Sequence, residues 1–338
     1  MLANSAYGTV QLDAWGADAI RVRIAPPGAP IVNPPIMALL PEPPLNGRCQ
    51  DVSSGANPAS PFLTQGNLNI SISSGTGYIT ATRVSDGVVL LQQTIGAWGT
   101  PAPGSRPLAV SATVGFTGLR ADERIYGLGE HADGLVARTN FSMVWHTENN
   151  GDVFIPFYAS STGYAFLWNL PGYGSFDASQ GGVSWHANAA QNVDFWVSAP
   201  PATTTNALAD LLGGYADAVG HAPVMPEYAT GFWQSKNRYR NQSQLLDVAA
   251  GYASRGLPLS VIVIDYLSWV TLGDWTFNAA CWPDPQVRRG GGEDGVCVER
   301  MELGCSGSSA LPAPICPLVH YQGKWTRYYH PLPPPPIL

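Results

Sequence analysis

Asn67-Leu68-Asn69-Ile70-Ser71-Ile72-Ser73, followed by Ser74-Gly75-Thr76-Gly77, Tyr78-Ile79-Thr80-Ala81-Thr82 and Arg83-Val84-Ser85-Asp86-Gly87-Val88-Val89-Leu90-Leu91, decides the fold class. Leu68, Ile70 and Ile72 recur at every second position, so an extended chain presents one apolar and one polar face. Asp86-Gly87 between two apolar stretches signals a hairpin, because these residues tolerate the positive φ of turns whose twist matches paired strands. The same alternation runs outward through Val10–Trp15 and, across a Gly16 turn, Ala19–Ile24. It returns at 108–116, 153–158, 163–168, 183–186 and 192–198. Roughly ten short strands separated by turn residues predict a mainly β chain, an antiparallel β-sandwich over 5–224. The 37 glycines and 30 prolines fit many turns rather than long helices. The Pro-rich stretch Pro26–Pro61 is expected to be a long irregular surface loop.

The pattern changes after Thr204. Leu208, Leu211, Leu212, Tyr215 and Val219 fall at helical spacing, closed by Gly220. Ala229–Trp233 reads as a short buried strand. Asn241–Arg255 reads as an amphipathic helix with Leu245, Ala249, Tyr252 and Ala253 on one face. Asn241 and Gln244 are placed as in a capping box, and Gly256 closes the far end. Leu259-Ser260-Val261-Ile262-Val263-Ile264 is nearly continuous in apolar, β-branched residues, as in a strand buried on both faces. Strand, helix and strand in succession predict a parallel pair over 225–286, the incomplete start of an α/β barrel or open sheet.

Residues 287–338 carry neither period. Three of the five cysteines lie there, with Arg288-Arg289-Gly290-Gly291-Gly292 and Pro333-Pro334-Pro335-Pro336. Two lysines against fifteen arginines point to GC-rich coding, so this stretch is expected to be an out-of-frame or disordered tail.

Charge and hydropathy exclude several classes. A net charge of −7 offers no basic surface for nucleic acid. No apolar run approaches the roughly 18 residues that span a bilayer. Met1-Leu2-Ala3-Asn4-Ser5 lacks the basic flank and apolar stretch of a secretory signal, so a cytoplasmic protein without membrane partners is expected. The sequons at Asn69, Asn140 and Asn241 then read as chance. Cys316 with His320 is at most half a metal site, and no metal is expected. Gly127-Leu128-Gly129-Glu130-His131 lacks the third glycine and following helix of a dinucleotide loop.

Asp265 has the most leverage, because it directly follows the 259–264 strand and barrel enzymes place binding groups at strand C-terminal ends. Tyr266, Trp269, Asp274 and Trp275 follow it, and Trp233 is expected to close the preceding strand on the same side. A carboxylate among aromatics suits a sugar: the acid accepts hydroxyl hydrogen bonds while flat rings pack on C–H faces. The alternatives are an Asp265 that caps a loop or pairs with Arg238 or Arg240, and a Trp233 that belongs to a core. Ser235–Arg240 is read as a polar, donor-rich loop, with a plain solvated loop as the alternative.

Five stretches, in order, resemble glycoside hydrolase family 31, which holds the α-glucosidases and α-xylosidases. They are Ile125-Tyr126-Gly127-Leu128-Gly129-Glu130-His131, Gly231-Phe232-Trp233-Gln234-Ser235-Lys236-Asn237-Arg238-Tyr239, Val263-Ile264-Asp265-Tyr266, Gly273-Asp274-Trp275-Thr276-Phe277 and Trp282-Pro283-Asp284-Pro285. The resemblance covers about residues 5–286. It implies a galactose-mutarotase-like β-sandwich followed by the start of a (β/α)8 barrel. It implies retaining hydrolysis by two aspartates, with carboxyls about 5–5.5 Å apart. An α-linked oligosaccharide or glycoside is the implied partner, with no cofactor. Asp265 matches the aspartate that ends the second barrel strand and binds sugar hydroxyls. Gly-Leu-Gly-Glu resembles a sandwich loop near the active-site mouth. The family's nucleophile lies on the fourth barrel strand and its acid/base further on. Nothing after Pro285 resembles either, so no catalytic residue is assigned and the chain reads as a truncated, inactive part of such an enzyme. A non-catalytic carbohydrate-binding or regulatory sandwich is the alternative, and a structural sandwich without ligand is a third reading.

Overall fold

The computed structural model describes residues 2–33, 38–41, 52–55, 61–101, 104–105, 109–145, 152–178, 182–264, 268–271 and 276–284. The chain divides into two compact units, Met1–Ala222 and Pro223–Leu338. The predicted tail at 287–338, with the Cys316 and His320 reading, lies outside the described residues.

In the first unit, sixteen strands are described: β1 (Leu2–Asn4), β2 (Thr9–Ala14), β3 (Ala19–Ala25), β4 (Val52–Gly55), β5 (Phe62–Gln65), β6 (Leu68–Ile72), β7 (Ile79–Arg83), β8 (Val89–Gly99), β9 (Val110–Phe116), β10 (Ile125–Glu130), β11 (Ser142–Trp145), β12 (Val153–Ser160), β13 (Tyr164–Trp168), β14 (Gly174–Asp177), β15 (Val183–Ala190) and β16 (Val193–Ser198). They form two antiparallel sheets, ordered β1-β2-β3-β16-β13-β12-β10 and β11-β14-β15-β9-β8-β7-β6-β5-β4. The period-two pattern sets the register. In β6 the apolar positions Leu68, Ile70 and Ile72 are all buried while Asn69 and Ser71 are not. At the hairpin, Gly87 takes φ +70° and its amide donates to the Arg83 carbonyl. The Arg83 guanidinium beside Asp86 holds that carboxyl below the usual carboxylate range.

Between the sheets, Leu12, Val22 and Ile24 share one core with Ile70, Val114 and Trp185. Phe166 of β13 stacks on Trp185 of β15 at 5.5 Å, and Phe116 meets Phe166 edge-on at 5.6 Å. Each fully buried side chain of this size contributes roughly 1.5–3 kcal/mol. Aromatic content therefore serves packing here: Trp168, Trp185 and Trp196 are fully buried and line no cleft.

Several expectations need correction. Sixteen strands replace ten, because β1, β4, β5, β11 and β14 are too short to show an alternation and the glycines of β10 interrupt one. The Pro26–Pro61 stretch is not wholly irregular, since β4 pairs with β5 and Leu39 is buried. Gly-Leu-Gly-Glu is not a loop. It is β10, an edge strand whose register against β12 shifts between Gly127 and Gly129. Gly127 and Gly129 take φ +119° and +95°, and an added Cβ would lie 2.6 Å from the Phe157 carbonyl and 1.8 Å from the Val153 carbonyl. Leu128 between them holds φ +64° with its side chain fully buried in the core.

Helix α1 (Ala207–Val219) packs Leu211 and Ala218 over Phe157, Ala159, Ala165 and Leu167, on the outer side of the first sheet. Tyr215 stacks on Phe157 at 4.0 Å. Leu208 and Leu212, expected on the buried face, are 44% and 49% exposed. Among the described residues no helix is long and apolar enough to cross a membrane.

Candidate functional site

The second unit opens with a 3-10 turn at Glu227–Thr230, where the Thr230 hydroxyl donates to the Glu227 carbonyl. That local bond competes with extension, so the strand expected over 229–233 is reduced to its last residue. Strand β17 (Trp233–Gln234) runs parallel to β18 (Val261–Ile262), with Trp233 opposite Val261 and Gln234 opposite Ile262. The Val263 amide extends the ladder to the Gln234 carbonyl at 2.9 Å. Val261, Ile262, Val263 and Ile264 are all buried, as their continuous apolar run requires.

Helix α2 (Gln242–Ser254) connects the two strands. The Asn241 side chain accepts from the Gln244 amide at 2.9 Å. Gln244 caps in return, but through the Arg240 amide at 2.8 Å rather than that of Asn241. At the far end the Gly256 amide reaches the Ala253 carbonyl and Leu257 reaches Tyr252, the paired bonds of a Schellman stop, with Gly256 at φ +62°. Leu245 and Ala249 are buried and Tyr252 is half-buried, whereas Ala253 is exposed, so the apolar face is narrower than expected. Asn241→Ala is expected to lower the stability of the second unit by about 1 kcal/mol. Urea-induced loss of exchange protection in 245–252 measures it, and an unchanged midpoint would show that the cap is dispensable.

Because the strands are parallel, both leave the sheet at one rim, where Ser235–Arg240 follows β17 and Val263 and Ile264 follow β18. The rim is braced from below by Gln234, a residue the sequence reading passed over. Its side-chain amide donates to the Tyr239 hydroxyl at 3.1 Å, and its carbonyl oxygen accepts from the Tyr252 hydroxyl at 2.5 Å. Tyr239 is therefore not part of a solvated loop. It is buried with Leu245, Ile262, Ile264 and Trp282, and burial pushes its phenol up. Lys236 lies 5.7 Å over its ring. The Trp282–Asp284 segment is tied to the start of α2: Gln242 donates its amide to the Cys281 carbonyl, and its side chain accepts from the Asp284 amide.

Of the proposed sugar-contacting residues, Trp233 and Trp269 are described, while Asp265, Tyr266 and Trp275 lie outside the described residues, as does Asp274. Trp233 opens β17 rather than closing it. It is 41% exposed, and its indole N–H donates to the Ala229 carbonyl at 3.2 Å. Trp269 is buried, bridged to Phe277, and the Asn278 amide donates to the neighbouring Ser268 carbonyl. In this arrangement Trp233 has indole surface open to a ring and Trp269 does not. The described carboxylates of this unit, Glu227, Asp247 and Asp284, are all exposed. Among the described residues no group of His, Cys, Asp or Glu is placed to hold a metal.

Comparison with known proteins gives this rim a context. Residues 222–288 match the glycosyl hydrolases family 31 TIM-barrel domain. An uncharacterized family 31 glucosidase of Pseudescherichia vulneris is 35% identical over 187 residues, 55% of this chain and 34% of that protein. An alpha-xylosidase of Saccharolobus solfataricus is 32% identical over 179 residues, 50% of this chain and 24% of its own length. The crystal structure of a family 31 alpha-xylosidase from a soil metagenome, complexed with xylose, superposes with a TM-score of 0.70 at 30% identity. It covers 84% of this chain and 43% of that structure. The chain thus spans about a third or less of the curated relatives it matches. With a β-sandwich followed by a parallel strand pair, the chain is thus similar to glycoside hydrolase family 31 proteins in both sequence and structure.

Proposed function

We propose that this chain is the N-terminal portion of a retaining α-glycosidase of the α-xylosidase or α-glucosidase type, acting on O-glycosidic bonds of an α-linked oligosaccharide or glycoside. The observation that carries the reading is the parallel register of β17 and β18 inside the segment that matches the family's barrel domain. In this reading Asp265 accepts hydrogen bonds from sugar hydroxyls at the strand end. Tyr266, Trp233 and Trp275 supply aromatic surface for the ring's C–H faces, whereas the buried Trp269 backs the rim. The soil-metagenome alpha-xylosidase with xylose supports a pentose glycoside as ligand class. Hydrolysis with retention needs a nucleophile and a proton donor on opposite sides of the scissile bond. Both belong to barrel strands beyond the matched pair, so these 338 residues alone bind at the rim and do not turn over substrate.

Two measurements test this. Purified chain, confirmed by intact mass, is expected to show no release of nitrophenol from aryl α-xyloside or α-glucoside. Fusing residues 1–286 to the remaining barrel of the soil-metagenome alpha-xylosidase is expected to give α-xyloside hydrolysis. Turnover by the isolated chain would overturn the division of labour. A folded but inactive fusion would overturn the glycosidase reading.

A further inference from the structure

Three side-chain bonds in the second unit lock a loop that the proposed sugar contacts leave out. Gln234 ends β17, and its Nε2 donates to the Ser235 carbonyl at 2.9 Å and to the Tyr239 hydroxyl at 3.1 Å. The Ser235 carbonyl only accepts, so the side-chain amide has one permitted orientation. Its Oε1 then faces Tyr252 of α2, whose hydroxyl is the donor in the 2.5 Å bond. Residues 234 and 239 are thereby latched side chain to side chain, and the Arg240 amide is tied to Oε1 of Gln244 at 2.8 Å. Both ends of the 235–240 loop are fixed. Tyr239 carries the latch into the core: it is 2% exposed and shares a cluster with Ile262 and with Ile264, the residue before Asp265 in the sequence. Ser235, Lys236, Asn237 and Arg238 are exposed. Lys236, one of two lysines in the chain, has the best-defined location of these, its ammonium 5.7 Å over the Tyr239 ring. A ring fixed beneath the ammonium restricts the freedom that an exposed lysine otherwise keeps, so less entropy is lost when it meets a ligand. An ammonium offers three donors and no acceptor, the complement of a carboxylate that only accepts.

We propose that Lys236 is a sugar-binding residue of the rim, donating to hydroxyl or ring oxygens of a bound glycoside, with Gln234 and Tyr239 as the residues that position it. The assignment rests on the glycosidase reading. It gives the rim a fixed donor, opposite in polarity to the acceptor role proposed for Asp265.

Calorimetric titration of the full chain with 4-nitrophenyl α-xyloside and 4-nitrophenyl α-glucoside tests it. Lys236→Met keeps the apolar stem and is expected to weaken binding at least about tenfold, the scale of one hydrogen bond from a charged group, at an unchanged urea midpoint. Lys236→Arg retains charge and donors and is expected to recover most of that loss. Gln234→Leu is expected to weaken binding by a similar factor and to add little when combined with Lys236→Met, because both act through one contact. Additive losses would overturn the positioning role. If Gln234→Leu does not fold, Tyr252→Phe removes another leg of the same latch and takes its place in the cycle. Equal affinity of Lys236→Met and wild type, while Trp233→Ala binds more weakly, would overturn the role of Lys236 and leave the glycosidase reading standing. A wild type with no affinity for either glycoside would overturn that reading and this assignment with it.

Discussion

Asp194→Ala is expected to destabilise the first unit by about 3–5 kcal/mol, the cost of breaking a buried ion pair from one side. Asp194 on β16 is fully buried and Arg21 on β3 is 2% exposed. Arg21 donates from Nε to Oδ1 at 3.0 Å and from Nη2 to Oδ2 at 2.5 Å, a two-pronged pair across neighbouring strands. Burial pushes the Asp194 carboxyl up, and the Arg21 guanidinium pulls against that shift. The guanidinium also lies 4.8 Å over the Trp15 ring. Removing the carboxylate leaves this cation in a dry site, where Nη2 also donates to the Asn33 side chain at 3.3 Å. Arg21→Met combined with Asp194→Leu is expected to recover most of the loss, because apolar groups of similar volume carry no desolvation penalty. Urea midpoints followed by tryptophan fluorescence measure both. A single-variant loss below about 1 kcal/mol, the scale of an exposed pair, would show that water reaches the site.

Asp265→Asn, placed in the active fusion described above, is expected to lower kcat/KM by one to two decades. Asparagine keeps the volume but loses the charge, and hydrogen bonds to a charged acceptor are worth roughly 1.5–3 kcal/mol. The melting temperature is expected to stay unchanged, because the substitution keeps the side-chain volume and the proposed role of the charge is toward ligand. A loss of thermal stability with intact kinetics would make Asp265 a structural cap.

Much of the sandwich was legible because alternation and burial coincide: β6, β7, β9 and β16 stand where the apolar spacing puts them. β10 was not, since two of its six residues are glycines and a bulge breaks the period, so the sequence shows turn chemistry where the chain is extended. The face of α1 was misjudged for a different reason. Leu208 and Leu212 share helical spacing with Leu211 and Tyr215, and only the contact with Phe157 decides which pair turns inward. In the second unit the helix ends were readable from Asn241 and Gly256, because caps are local chemistry. The brace made by Gln234 was invisible: its partners Tyr239 and Tyr252 come together only after the chain has folded back through α2.

The pairing of β3 with β16 has a consequence for synthesis. Arg21 and Asp194 are 173 positions apart, and every residue of β3 from Ala19 to Ile24 finds its partner within Val193–Ser198. At roughly 5–20 residues per second, a ribosome takes on the order of ten seconds or more to make the intervening chain. During that interval β3 has β2 on one edge and nothing on the other, with its isoleucines and valine on a nascent chain. Such long-range closure slows folding and exposes sticky edges. Yield in a cell is therefore expected to depend on chaperone supply and elongation rate more steeply than equilibrium stability suggests. Slowing translation through codons 26–190 would lengthen that exposure, whereas slowing it after Ser198 would let the sandwich close first.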